Sequence, residues 1–362
     1  MSFTSNRQVK VFNHPDCFIP GWYWALPSRQ LRVGQVKPVT LQGRDLALYR
    51  GRDGRAIAVD AYCPHMGAHL AEGRVEEDGL RCFFHNWKFN TQGHCIEMPG
   101  VEPLIPLQIQ TWPTAEHYGL IWVWTGTTPS SPPPTVPELE QADCDVRLGA
   151  HFYKNCHPNV VMINAIDAHH FNTVHNLPLE IHFVKQDRQD KAILFSNTTR
   201  GGQDSWLIRL IQPLYKQEGT YSLCYWYGST GTVTLGPDCL HFYILFTLRM
   251  LPEGKTEGQT VLITPKRSGV AGWLLNRLIL QVTQWVGNYF ARGDTRIFQT
   301  IQFDFQTPTK ADQSIIQFIQ HLEQQPAIAW KTWVPLAVVP TPGELALSSQ
   351  SMPEVIGCNL QD

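Results

Sequence analysis

Two short Cys/His pairs, Cys63-Pro-His65 and Cys82-Phe-Phe-His85 with sixteen residues between them, constrain this 362-residue chain more than any other feature. Two ligand pairs on two turns can converge on one metal centre. A mixed Cys₂His₂ set fits zinc, or a [2Fe–2S] cluster whose second iron takes two histidines. Structural zinc sites space a ligand pair by roughly two to four residues, so the one-residue gap of Cys63-x-His65 is unusual for zinc. Tyr62, Gly67, Phe83, Phe84, Trp87 and Phe89 surround the set and would keep the centre dry and tune its potential. His69, His94 and Cys95 lie close by but extend no ligand spacing, and read as packed or solvated side chains.

Strands frame these turns. Residues 37–61 read as a paired set: Val39–Leu41 and Leu46–Arg50 alternate, Gly51-Arg52-Asp53-Gly54 is a turn, and Ala56–Asp60 returns. Tyr118–Trp124 (YGLIWVW) is a strong aromatic and β-branched strand. Thr127–Pro137 (TTPSSPPPTVP) reads as a linker, because a Pro-rich run stays extended and cannot pair centrally. The expected organisation is a first domain over 1–126, the linker over 127–137 and a second domain over 138–362.

The pattern changes after the linker. Residues 158–175 read as helical around Val161, Ile163 and Ile166, and 192–266 as antiparallel strands separated by Gly-rich turns. Residues 272–291 carry Leu274, Leu275, Leu278, Val282, Trp285 and Tyr289 at helical spacing, and 311–325 suggest a further helix. The second domain is therefore expected to be α+β, an antiparallel sheet with helices packed on one side.

Composition narrows the function. Twenty-nine basic against thirty-one acidic side chains remove the electrostatic case for nucleic acid as main partner. Twelve Trp, eleven Tyr and seventeen Phe point to large apolar contacts or a roomy apolar pocket. Nine scattered cysteines argue against a secreted disulfide framework, and those outside the pairs other than Cys95 (Cys17, Cys144, Cys156, Cys224, Cys239, Cys358) read as small buried hydrophobes. No leader is legible at the start, and GVAGWLLNRLILQVTQWVGNYF is interrupted by Asn276 and Arg277, so no spanning segment is expected. A cytoplasmic protein is the expectation.

A second constellation runs Asn164-Ala-Ile-Asp167-Ala-His-His170-Phe-Asn-Thr-Val-His175. Asp167 and His170 are three apart and share a helix face; the five-residue step to His175 requires the helix to end or distort near Asn172. Two histidines plus a distant carboxylate make the facial triad of non-haem Fe(II) oxygenases, with positions open for O₂ and substrate. Taken alone, the run better suits a satisfied structural histidine pair.

CPHMGAHL…CFFHNWKF resembles the Rieske cluster motif, and D-A-H-H-F-N-T-V-H resembles the mononuclear iron motif of Rieske non-haem iron oxygenases. The resemblance extends from PGWYWALP through YGLIWVW to a late acidic residue. Its flavour is that of aromatic-ring-hydroxylating enzymes, including arylamine, pheophorbide and sterol oxygenases. It implies an N-terminal all-β Rieske domain, then a helix-grip catalytic domain. Cys63 and Cys82 would hold one iron of a [2Fe–2S] cluster and His65 and His85 the other. His170, His175 and Asp294 would hold a mononuclear Fe(II), with Asp304 the competing acid. Ala68 and Phe84 stand where respiratory Rieske proteins carry a disulfide, which places the match on the ferredoxin and oxygenase branch. Phe83 and Asn86 replace the usual Pro and Gly, which bears on the turn of the second loop.

The resemblance also gives Asp167 a catalytic role. It would join His85 of one subunit to His170 of the next within a homotrimer; the simpler alternative is that it orients His170. Gly293 would relax the backbone where the helix before Asp294 breaks, and the apolar face of 272–291 would anchor that helix on the sheet. With no G-x-G-x-x-G after a strand, electrons must come from a separate ferredoxin or NAD(P)H-dependent reductase. An apolar aromatic or polycyclic small molecule and O₂ are the expected substrates, and Phe242, Ile244 and Phe246 are either pocket lining or plain core. An electron carrier lacking the second iron and a zinc-stabilised binding protein are the competing functions.

Overall fold

The structure is a computed structural model and describes residues 11–175, 181–188, 191–197, 220–236 and 240–330. Its first half is all-β. The strands are β1 (Trp22–Pro27), β2 (Val36–Leu41), β3 (Arg44–Arg50), β4 (Ala56–Asp60), β5 (Arg74–Glu76), β6 (Gly79–Arg81), β7 (Lys88–Phe89), β8 (Cys95–Glu97), β9 (Thr111–Trp112), β10 (Thr114–His117) and β11 (Leu120–Trp124). They form three antiparallel sheets, ordered β1-β11-β10, β2-β3-β4-β9 and β5-β6-β7-β8. The aromatic strand β11 is central, with Leu120–Trp124 buried on both faces and Trp22 opposite Trp124 in the register. Its buried Trp122, with Tyr23 and Trp24 of β1, anchors a core in which each large side chain contributes roughly 2–3 kcal/mol. The small β5–β8 sheet sits over its own core of Leu70, Leu80, Trp87, Phe89 and Ile109, beneath the two Cys/His turns.

The second half is one seven-stranded antiparallel sheet with helices. Its strands are β12 (Cys144–Lys154), β13 (Phe183–Asp187), β14 (Ile193–Asn197), β15 (Thr220–Trp226), β16 (Thr230–Gly236), β17 (Phe242–Leu251) and β18 (Lys255–Pro265), ordered β12-β18-β17-β16-β15-β14-β13. The helices are α1 (Pro158–Ile163), α2 (Ala168–Thr173), α3 (Gly269–Thr300) and α4 (Gln313–Glu323). This is the expected α+β architecture.

Three details depart from the sequence reading. Residues 158–175 are not one helix: α1 runs into a 3₁₀ turn at Asn164–Ile166, Asp167 is extended (φ −83°, ψ 94°), and α2 starts afresh. An aspartate offered free amide donors two and three residues on favours capping over helix continuation. The long helix does not break at Gly293; α3 is unbroken from Gly269 to Thr300, so Asp294 lies within it. The expected apolar anchor also faces the other way. Asn276, Ile279, Leu280, Thr283 and Phe298 are the buried side chains of α3, while Leu274, Leu278, Trp285 and Tyr289 are exposed. Helical periodicity identifies residues that share a face, not the direction in which it looks.

The halves are joined by buried polar contacts. The Arg249 guanidinium donates to the Ala25 carbonyl (2.8 Å), pairs with Glu257 (2.6 Å) and stacks over Trp24 (4.5 Å). Gln42 Oε1 accepts from the Met250 amide at 2.7 Å. The Pro-rich stretch lies against the sheet: Val136 and Leu139 are buried, and Glu138 accepts from Ser222 (3.0 Å) and Thr234 (3.1 Å). Ile244 is core, packed with Leu262 under Leu280 of α3, and Phe242 and Phe246 are half-buried. Cys17 is disulfide-bonded, against the expectation of a reduced thiol. Cys239 and Cys358 lie outside the described residues.

Candidate metal centres

The two Cys/His turns are built alike. The Cys63 amide donates to the Ala68 carbonyl and the Cys82 amide to the Trp87 carbonyl, each at 2.9 Å and each spanning five residues. Both loops need a left-handed residue four positions after the cysteine. Gly67 takes φ 73° in the first and Asn86 φ 56° in the second. Asn is among the few non-Gly residues that enter this region readily, which accounts for its presence where Gly is usual. Arg81, nearly buried, fixes the second loop by pairing with Glu76 and Glu97 and donating to the Asn86 carbonyl.

The loops hold their sulfurs inward and their imidazoles outward. Cys63 and Cys82 are each 2% exposed, whereas His65 is exposed and His85 half-buried. The His65 and His85 rings sit 4.4 Å apart, with Trp87 stacked on His65 at 4.2 Å and Phe84 against His85 at 3.9 Å. Burial pushes the Cys63 thiol up to about 12, so its thiolate needs a cation or cluster to form at neutral pH. Two buried sulfurs beside two surface-facing imidazoles suit a two-iron cluster with chemically distinct irons. Met66, Phe83 and Phe84 form an exposed apolar collar around the histidine edge.

The second centre lies where α2 meets α3. His170 and His175 flank the end of α2, and Asp294 reaches them from α3. His170 Nε2 is 2.9 Å from His175 Nε2 and 3.0 Å from Asp294 Oδ1; His175 Nε2 is 3.1 Å from the same oxygen. The triangle's size is compatible with a single ion. Three ligands at about 2.1 Å from one ion are separated by about 3.0 Å if mutually perpendicular and about 3.4 Å if tetrahedral. Edges of 2.9, 3.0 and 3.1 Å therefore suit three side chains that would converge on one ion.

The surrounding residues hold that geometry. His170 Nδ1 is 3.0 Å from the Asn164 carbonyl, which can only accept, so Nδ1 carries the proton and Nε2 presents its lone pair to the centre. Burial alone would lower the His170 pKa; the adjoining Asp294 carboxylate overcomes this and leaves it raised. His175 is lowered, chiefly by burial and also by His170, with Asp294 opposing. Phe290 (5.0 Å) and Phe171 (5.8 Å) pack against His175 and exclude water.

Asp167 caps α2: its Oδ1 accepts from the His169 amide (3.0 Å) and the His170 amide (3.1 Å). It thus positions the His170 backbone, while the imidazole is oriented by Asn164, a role that a backbone carbonyl does not advertise in sequence. Gly293 is the second residue whose part is spatial. A Cβ there would stand 3.0 Å from His175 Cε1, so the glycine makes room for the imidazole. Asp304 is exposed, beyond the end of α3. Among the described residues, His170, His175 and Asp294 are the group whose ligand atoms all lie within 4.8 Å of one another.

Comparison with known proteins bears on the domain and the fold. Residues 21–113 match the family model of the Rieske [2Fe-2S] domain, and the chain carries that domain. Most of the chain shares its fold with Rieske oxygenase terminal components. The terminal oxygenase of carbazole 1,9a-dioxygenase from Nocardioides aromaticivorans superposes with a TM-score of 0.62, covering 87% of this chain and 96% of that one at 15% identity. Cholesterol 7-desaturase nvd of Bombyx mori is 37% identical over 171 residues, 46% of this chain and 37% of that protein. Aminopyrrolnitrin oxygenase PrnD of Pseudomonas fluorescens is 36% identical over 176 residues, 45% of this chain and 48% of that protein. The matched stretches thus span less than half the length of these curated relatives. No helix among the described residues is long and apolar enough to cross a membrane.

Proposed function

We propose that this chain is the oxygenase component of a multi-component system, using O₂ and externally supplied electrons to oxygenate an apolar aromatic or polycyclic small molecule. The observation that carries the reading is the convergence of His170, His175 and Asp294 in a chain that also bears a Rieske domain. An electron carrier would have no use for a second metal-binding group. Relatives named for cholesterol and for aminopyrrolnitrin favour a hydrophobic substrate class.

Cys63 and Cys82 would hold one iron of the cluster, His65 and His85 the other, and His170, His175 and Asp294 a mononuclear Fe(II). The cluster would supply single electrons, and the mononuclear iron a place for O₂ to react beside substrate. The remaining work falls to the chain. Asn164 keeps His170 in its Nε2-ligating tautomer, Phe171 and Phe290 keep the centre dry, and Gly293 leaves His175 free to align. The exposed His65 and half-buried His85 put the cluster's histidine edge within reach of a partner. Asp167, at the start of α2, would link that edge in one subunit to His170 in the next within a homotrimer. A separate ferredoxin or NAD(P)H-dependent reductase would provide the electrons, in the cytoplasm.

Asp294→Ala tests the reading. The variant should lose the mononuclear iron and reductase-coupled O₂ uptake while keeping the Rieske EPR signal. Full iron content and uptake in Asp294→Ala, with loss in Asp304→Ala, would overturn the ligand assignment.

A further inference from the structure

Helix α3 is inside-out along its first five turns. At 100° per residue, Leu274, Leu278, Val282, Trp285 and Tyr289 fall within an arc of about 80°. That arc faces outward: Leu274 is 55% exposed, Leu278 60%, Trp285 69% and Tyr289 53%. The opposite side buries the polar Asn276 and Thr283, whose hydrogen bonds are met internally, Asn276 by Arg267, Asp145 and the Pro265 carbonyl and Thr283 by the Ile279 carbonyl. The helix is therefore seated by specific polar contacts that leave its hydrophobic arc uncovered. Four exposed large hydrophobics in one stripe about 22 Å long exceed the scattered exposure expected of a soluble surface.

Charge decides among occupants. From Lys266 to Thr300 the chain carries Lys266, Arg267, Arg277, Arg292 and Arg296 against one acid, Asp294, whose carboxylate is committed to the iron triangle. The complete chain has a formal charge of −2, so this segment is a local excess of positive charge. Arg292 and Arg296 continue the same arc beyond Tyr289, and Arg277 lies over Trp273 at 4.4 Å. Two copies of α3 laid face to face would oppose these cations. An anionic surface would pair with them. Trp and Tyr beside Leu, flanked by Arg and Lys, is the composition that rests at the headgroup boundary of a bilayer. Asn276, Arg277, Gln281 and Gln284 interrupt the segment, which suits lying on a bilayer rather than crossing it.

We propose that the outward arc of α3 docks the protein peripherally onto an anionic lipid bilayer. The inference is independent of the oxygenase reading, because binding can be measured without turnover. The holoprotein is floated with phosphatidylcholine vesicles containing phosphatidylglycerol, and with phosphatidylcholine vesicles alone. The expected result is partition onto the anionic vesicles, weakened by added salt because the cations contribute. The double variant Leu278→Glu/Trp285→Glu should lose at least about tenfold in partition while keeping the Rieske spectrum and wild-type circular dichroism. Arg277→Glu, which leaves the apolar arc intact, should weaken only the anionic component. Absence of wild-type flotation, or flotation unchanged in the double variant, would overturn the proposal. So would a double variant whose mass in vesicle-free solution falls below that of wild type, since the arc would then belong to an interface between copies of the chain.

Discussion

Replacing Gly293 with alanine separates two roles that a helical glycine can have. A Cβ at this position would lie 3.0 Å from His175 Cε1, 3.2 Å from its Nδ1 and 3.2 Å from Val174 Cγ1. Carbon contacts are comfortable from about 3.5 Å, so the imidazole would have to retreat by about 0.5 Å. Alanine is otherwise favoured here, because Gly→Ala within a helix stabilises by about 1 kcal/mol. That gain offsets the cost of displacing one ring, and the net change in stability should stay within about 1 kcal/mol. The iron site has less latitude, since a ligand must be held to within about 0.5 Å of its productive position. Fe(II) affinity should fall about tenfold, equivalent to about 1.4 kcal/mol. Anaerobic Fe(II) titration of the cluster-loaded protein reads the affinity, and thermal unfolding reads the stability. Unchanged affinity would refute the reasoning. A fall of many degrees in Tm would instead assign the glycine to folding.

His157 is half-buried and its pKa is lowered to about 4, chiefly by desolvation. The unfolded chain therefore takes up this proton first as pH falls, so stability is full above about pH 6.5 and declines towards pH 4 by roughly 3 kcal/mol. In His157→Asn, which keeps a cap for the Asn159 amide, that part of the slope in denaturation midpoint against pH should vanish; parallel slopes would count against it. Asp167→Ala should cost about 1 kcal/mol through loss of the α2 cap, whereas Asp167→Asn should be near neutral in stability. If the carboxylate also bridges the two centres, Asp167→Asn should keep both metals yet slow cluster reoxidation about a hundredfold, a loss of ~3 kcal/mol in barrier terms. Reoxidation within about threefold of wild type would place the electron route elsewhere. Cys63→Ser or His85→Ala should abolish the Rieske EPR signal of the dithionite-reduced protein, and a colourless wild-type protein containing one zinc would exclude the cluster.

Local patterns carried the reading furthest. The hairpin strands between Val36 and Asp60 follow from alternation and a Gly-containing turn. The Cys63, His65, Cys82 and His85 pairs are legible because each ligand pair is confined to one short turn. The break before His175 was also legible, since five residues do not close a helical turn. Asp294 is different: 124 residues separate it from His170, and only the order of motifs along a resembling family pointed to it. What stayed illegible depends on three-dimensional neighbours. The Asn164 carbonyl has no side-chain signature, and Gly293 is explained by an imidazole from another helix. The split at Asp167 required knowing that capping would win over continuation. The outward direction of the α3 stripe followed from the Asn276 contacts to Asp145 and Arg267, which no periodicity encodes.

Because α3 is unbroken, Asp294 and the outward arc are parts of one stiff rod. Val270 and Asp294 are twenty-four residues apart, a lever about 36 Å long. Tilting it by about 2° at one end displaces the other by about 1 Å, twice what a metal ligand tolerates. Asn276, held at 2.7 Å by Asp145 and bonded to Arg267 and the Pro265 carbonyl, acts as a peg in the edge of the sheet that fixes the rod's axial register. The polar residue on the buried side of this helix is thus an alignment device for a carboxylate eighteen residues away.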